Sequence, residues 1–157
     1  MQKIPITAAG FTRLEKELSH LKKVERPDII QAISEARAHG DLSENAEYHT
    51  ARERQGFIEG RIAELEGKIG RFDVINISKL KGPKIKFGAT VTLADVGNDK
   101  EIKYRIVGAD ESDIANGLVS ISAPIARALI GKEEGDVVDV QTPKGMRSYE
   151  VLSVEFK

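Results

Sequence analysis

The chain has 157 residues, 40 % of them hydrophobic and 31 % charged, which suits one ordinary domain or two small ones and excludes a disordered chain. A formal net charge of −1 excludes bulk attraction to nucleic acid or to a membrane surface, and the lack of cysteine excludes a disulfide framework or a thiolate metal site. The start, MQKIPITAAGF, has no secretory core, and no run of about 18 apolar residues follows, so a cytoplasmic location without a membrane span is expected.

Residues 1–76 read as helical. Phe11, Leu14, Leu18 and Leu21 step by three, four and three, the spacing of a coiled-coil seam. Pro27 then interrupts, and should kink the helix or start a fresh one. Ile30, Ile33 and Ala36 continue a helical face beyond it. A second seam runs without a break through Glu44, Tyr48, Ala51, Gln55, Ile58, Ile62, Leu65, Ile69 and Phe72. Two such seams joined by a tight turn predict an antiparallel coiled-coil hairpin about 40 Å long at 1.5 Å per residue. Gly56, Gly60, Gly67 and Gly70 weaken the second helix, so packing against the first must offset them.

Residues 77–157 alternate instead. DVINIS, ATVTLADV, EIKYRIVG, GLVSIS, DVVDVQT and RSYEVLSVEF read as strands, the first of them starting at Asp73, and PKG before the last reads as a hairpin turn. One short helix fits APIARALIGK, with Pro124 near its start and Gly131 past its end. The pattern predicts a small antiparallel sheet with one covering helix, an α+β domain, after a linker at Lys79–Lys84.

The turn of the hairpin, RAHGDLSENAEYHTARER, places Asp41 and Glu44 three residues apart after Gly40. One reading is purely local: Gly40 ends the first helix, Asp41 caps the second, and Glu44 closes a capping box. The other is functional. Arg37, Arg52 and Arg54 form a basic collar behind an acidic point, and Glu44, Tyr48 and Gln55 stand where a seam built for stability would carry leucine. Arg54, with Glu47 and Glu53 nearby, suits an ion pair better than Arg37 or Arg52 do. Two carboxylates are a poor magnesium site in open water, because Mg²⁺ keeps its own waters. Presented to a site already holding one ion they could complete a second position, as in two-metal phosphodiester cleavage, and the arginines would suit a nucleic-acid strand.

On these residues, together with IPIT, ERPDIIQAISEARAHGDLSENAEYHTARERQGFIEGRIAELE, FGATVTL, YRIVG and SISAPIARALIGKEEGDVV, the whole chain resembles the bacterial Gre transcript cleavage factors, and within them the GreA type. The resemblance implies a coiled-coil hairpin followed by a globular domain of FKBP-like fold, acting as a monomer on bacterial RNA polymerase. It implies that the globular domain docks at the rim of the polymerase's secondary channel while the hairpin enters towards the active site. There the tip would help hold the polymerase's Mg²⁺ for cleavage of backtracked nascent RNA, with no cofactor of its own. By the same resemblance Asp41 and Glu44 are the catalytic, metal-positioning pair, Arg37, Arg52 and Tyr48 face the RNA 3′ segment, and Ser122 and Pro124 meet the polymerase. Position 122 is serine where some relatives carry an acid, and the sparse collar suits the short cleavage products of the GreA type.

Three alternatives belong to other classes. A Gre-like channel binder could regulate or inhibit without promoting cleavage. A prolyl isomerase is suggested by the implied fold alone, but its pocket needs aromatic walls, and Phe87, Tyr104, Tyr149 and Phe156 suit core packing. A plain coiled-coil adaptor is the third.

Overall fold

The computed structural model describes residues 2–157. Contacts divide the chain into two compact units, Phe11–Phe72 with Gln2, and Asp73–Lys157 with Lys3–Gly10. The first unit is the helical hairpin. The division falls slightly before the expected one at 76/77, and the N-terminal segment Lys3–Gly10 groups with the second unit.

Helix α1 (Ala8–His20) passes into a π-helical segment, Leu21–Glu25, and then into α2 (Arg26–Arg37). This is how Pro27 is accommodated. A proline inside an α-helix lacks an N–H and its ring strikes the carbonyl four residues back. Here the preceding turn is widened, so the Arg26 N–H bonds to the Leu21 carbonyl, five residues back, and Pro27 falls in the first turn of α2. Of the two expected outcomes, a kink or a fresh start, the chain takes the second: α2 starts anew at the proline, joined to α1 through the π segment.

Helix α3 (Ala46–Ile69) returns alongside. With 24 residues it is about 36 Å long. Leu14, Leu21, Ile33 and Ala36 from the first arm and Ala51, Ile58, Ile62 and Leu65 from α3 are buried, each on the face that the seven-residue spacing marks. Ile30 is the exception at 53 % exposed, because the widened turn shifts the face and Ile29 is the more sheltered residue. Phe11 and Phe72 close one end edge-to-face, 6.0 Å between ring centroids. Along the flanks, opposite charges face each other: Glu17 with Arg61, Lys22 with Glu66, Arg26 with Glu59, and Glu25 with Arg54. Such exposed pairs contribute about 0.2–1 kcal/mol each. Their larger effect is on register, since sliding one helix along the other would bring unmatched charges together.

In the second unit, β1 (Ile4–Thr7) and β2 (Phe72–Ile75) form a two-stranded sheet. The first stretch read as a strand, DVINIS, thus pairs with the N-terminal segment and stays outside the main sheet. That sheet has five strands, β3 (Thr90–Asp95), β4 (Glu101–Val107), β5 (Leu118–Ser120), β6 (Val137–Thr142) and β7 (Gly145–Glu155), in the order β5-β4-β3-β7-β6. It is mixed, where an antiparallel sheet was expected: β5 runs parallel to β4. The intervening residues 108–117 make two short 3₁₀ turns and bring the chain back level with Arg105, so β5 runs beside the last three residues of β4 in the same direction. A bulge opposite Thr92–Leu93 leaves Leu152 unpaired and bends β7. Helix α4 (Pro124–Leu129) begins on its proline, and Gly131 follows its end at φ 87°.

The core of this unit gathers Val91, Leu93, Ile106, Val140 and Val151 from the sheet with Ala126 and Leu129 from α4. Tyr104, Tyr149 and Phe156 pack against it, which occupies the aromatic rings that an isomerase pocket would need. One buried carboxylate stands apart from the apolar core. Glu111 accepts hydrogen bonds from the backbone of Thr7 at 2.8 Å and of Gly108 at 2.9 Å, and from the Thr7 hydroxyl. That hydroxyl in turn accepts from the Gly10 N–H at 3.0 Å and so caps α1. Gly10 and Gly108 are needed for this approach: a Cβ at Gly10 would stand 2.1 Å from Glu111 Oε1, and one at Gly108 would stand 2.3 Å from the Pro5 carbonyl.

Candidate functional site at the hairpin tip

Between α2 and α3 the chain turns at Gly40, whose φ of 110° lies outside the range of other residues. Leu42–Glu44 then make a single 3₁₀ turn. The expected division of labour at this turn needs correction. Asp41 caps only the 3₁₀ turn, its Oδ1 accepting from the Ser43 N–H at 2.9 Å and the Ser43 hydroxyl at 2.8 Å. The N-cap of α3 is Asn45, whose Oδ1 accepts from the Tyr48 N–H at 3.1 Å. Glu44 closes no capping box, and no hydrogen bond or ion pair engages it among the described residues. The local reading of Asp41 and Glu44 therefore fails on its main point: α3 is capped without them.

The acids are exposed and face solvent. Ser43 holds the Asp41 carboxyl below the ordinary carboxylate range, through its hydroxyl first and its backbone N–H second. Asp41 is thus an anion with one oxygen fixed and the other open. Among the described residues no cluster of three or more metal-ligating side chains forms. The tip offers two carboxylates, fewer ligands than Mg²⁺ takes, which suits completing a coordination shell supplied mainly by another molecule.

The collar divides as the sequence suggested, with one change of partner. Arg54 is bound to Glu25 at 2.5 Å, across the hairpin, while Glu47 lies 3.3 Å from His39 Nδ1. Arg37 and Arg52 make no ion pair among the described residues. They line one groove of about 360 Å³ together with Ile30, Ile33, Ser34 and Gln55. Arg37 also lies over the Tyr48 ring, 5.8 Å from its centroid. The structure thus brings Arg37, Arg52 and Tyr48 to the same end of the hairpin as the acids.

Two family models cover nearly the whole chain. One, described as "Transcription elongation factor, N-terminal", matches residues 4–74, and the other, "Transcription elongation factor, GreA/GreB, C-term", matches residues 80–156. The chain belongs to the GreA/GreB family of transcription elongation factors. Among relatives, the "Transcription elongation factor GreA" of Hyphomonas neptunium is 61 % identical over 157 residues, 100 % of both chains. That of Caulobacter sp. (strain K31) is 58 % identical over 99 % of both, and that of Xylella fastidiosa (strain M23) 61 % over 97 % of both. A solved structure, GreA factor homolog 1 (Gfh1) of Thermus thermophilus, aligns with 98 % of this chain and 99 % of its own at 24 % identity, with a TM-score of 0.45.

The two residues expected to meet a partner fall in the second unit. Ser122 and Pro124 are both exposed, at the junction of β5 and α4. The Ser122 hydroxyl and its backbone N–H both meet the Ser120 hydroxyl, at 2.8 and 3.1 Å. Pro124 opens α4. Sequence reasoning missed Ser43 and Asn45. The signal for Asn45 was present, since Asn is as good an N-cap as Asp. The Asp-x-x-Glu spacing drew attention to Asp41 instead.

Proposed function

We propose that this chain stimulates the intrinsic cleavage of backtracked nascent RNA by bacterial RNA polymerase and thereby rescues arrested elongation complexes. The observation that carries this reading is that α3 is capped by Asn45 and by neither acid: two exposed carboxylates stand at the tip, Asp41 bonded only within its own 3₁₀ turn and Glu44 closing no cap. In this reading the hairpin enters the polymerase's secondary channel and the second unit docks at its rim through Ser122 and Pro124; membership of a family of transcription elongation factors supports an action on the polymerase.

The chain is an accessory to the polymerase's own active site and acts as a monomer. Bound Mg²⁺ supplies charge neutralisation at the scissile phosphate and an activated water. Asp41, through its open oxygen, and Glu44 would help hold that ion and orient the water. Arg37 and Arg52 would hold the RNA backbone in the groove behind the tip, with charge-assisted bonds to phosphate oxygens. Tyr48, steadied by Arg37, offers its ring to the RNA 3′ segment.

The test is a transcript-cleavage assay on a stalled, backtracked complex. Adding the chain should shorten the RNA from its 3′ end and restore elongation. Asp41→Asn and Glu44→Gln should bind polymerase with unchanged affinity and lose most of the stimulation, because neutral amides cannot offset the charge of Mg²⁺. Full activity in either variant, or none in the parent chain, would overturn the reading.

A further inference from the structure

We propose that Asn45 is the positioning residue of the tip, the group that fixes where Asp41 and Glu44 point. This inference rests on the cleavage function proposed above.

The side chain of Asn45 works at both ends of its amide. Its Oδ1 accepts from the Tyr48 N–H and starts α3, while its Nδ2 donates to the Ala36 carbonyl in the last turn of α2, at 2.6 Å. The same Ala36 carbonyl accepts from the His39 N–H at 3.1 Å, and Ala36 itself is buried in the hairpin seam. Asn45 therefore clasps the two arms directly below the loop 38–44. The other hydrogen bonds of that loop are local, Asp41 to Ser43, Gly40 N–H to the Arg37 carbonyl and Asn45 N–H to the Leu42 carbonyl, and one exposed pair, His39 Nδ1 with Glu47 at 3.3 Å, reaches α3 from its α2 side, outside residues 41–44. Residues 41–44 are all exposed, Leu42 least so at 37 %, so none of them is anchored in a core. Without the clasp the 3₁₀ turn would keep its internal bonds but could swing as a body relative to both helices. Carboxylates that complete a metal site tolerate little such movement. Glu44 is the immediate neighbour of Asn45, and Tyr48, the donor to Asn45 Oδ1, carries the ring under Arg37. One side chain thus sets the acids, the tyrosine and the collar in common register.

The two bonds can be separated by substitution. Asn45→Ser and Asn45→Asp each keep an oxygen that caps α3 and each lose the amide nitrogen that reaches the Ala36 carbonyl, the serine hydroxyl being too short to span both partners; Asn45→Ala loses both. Cap loss alone lowers the melting temperature, so the serine and aspartate variants should melt close to the parent and the alanine variant below it. Cleavage should sort differently. At saturating factor all three should show a plateau rate lower by about tenfold or more, with the factor concentration for half-maximal stimulation unchanged. Recovery of the parent's cleavage rate by the serine and aspartate variants together would overturn the proposal and leave Asn45 as a cap. An unchanged plateau with a shifted half-maximal concentration would also overturn it. A parent chain that fails to stimulate cleavage would instead sink the function itself, a result read before any variant is compared.

Discussion

At the scale of single residues, Arg37, Arg52 and Arg54 look alike in sequence and differ in structure. Arg54 already has an anion, Glu25, whereas Arg37 and Arg52 line a shared groove with none. If the free pair holds RNA phosphates, Arg37→Ala and Arg52→Ala should each remove a charge-assisted bond of about 1.5–3 kcal/mol, or roughly ten- to a hundredfold in cleavage efficiency. The loss should shrink as salt rises, since salt already weakens the contact in the parent. Arg54→Ala is the internal control: it should cost at most about 1 kcal/mol of stability and leave cleavage alone. Equal cleavage loss in all three would mean that the collar acts through stability or net charge. The gathering of these residues at one end of the hairpin was legible beforehand, because acids and arginines at a turn depart from what a turn needs. Asn45 was not, because a cap residue is the same letter whether or not its amide nitrogen finds a carbonyl nine positions away.

Helix α3 shows at the scale of elements what spacing can and cannot convey. Every seam position from Ala51 to Leu65 that spacing marked as apolar is buried, since one face of a helix repeats on a fixed period. The widened turn before Pro27 was illegible: a proline announces that the ladder must break, and whether it breaks by a kink or by a π turn depends on the packing partner. The glycines of α3 follow a different rule. A Cβ added at Gly56 or Gly60 would meet nothing within 4 Å, so alanine there should stabilise the chain by about 0.4–1 kcal/mol each through a stiffer unfolded state. The same exchange at Gly10, where the Cβ would press on Glu111, should lower the melting temperature. A thermal melt of the three variants checks both signs.

The charged flanks make the hairpin acid-sensitive. Glu17 is held below the ordinary carboxylate range, chiefly by its hydrogen bonds to Arg61, and Glu59 likewise by Arg26. A carboxylate with a depressed folded pKa contributes stability that is fully present above its unfolded value, about 4.3 for glutamate, and is lost as pH falls through the lower folded value. The melting temperature followed by the helical circular-dichroism signal should therefore hold through the neutral range and fall below about pH 4.3. Glu17→Gln should flatten part of that fall, by at most about 1 kcal/mol for so exposed a pair. An acid limb unchanged by the substitution would show that the Glu17–Arg61 pair contributes nothing measurable.

For the molecule as a whole, the two periods of the sequence correspond to two compact units, yet the chain does not divide as a simple cut would suggest. Lys3–Gly10 carries the pattern of a helix start but groups with the second unit, because Glu111, a hundred positions later, supplies the carboxylate for Thr7. Nothing local in IPIT announces that partner. The parallel placement of β5 was hidden for a similar reason, since its three residues fit a strand of either direction. This two-unit build leads to a prediction about competition. If the second unit does the docking and the tip does the chemistry, a full-length chain carrying Asp41→Asn and Glu44→Gln together keeps the first and lacks the second. Docking makes delivery of the tip intramolecular, so occupancy of the polymerase is set at the rim, whatever the tip carries. The double variant should therefore inhibit the parent chain competitively in the cleavage assay, with half inhibition near equal concentrations. Adding Ser122→Arg to the double variant places a bulky charge at the exposed junction of β5 and α4, and should raise the concentration needed. A double variant that fails to compete would make the tip acids themselves part of the binding, and inhibition indifferent to Ser122→Arg would move the docking surface elsewhere on the second unit.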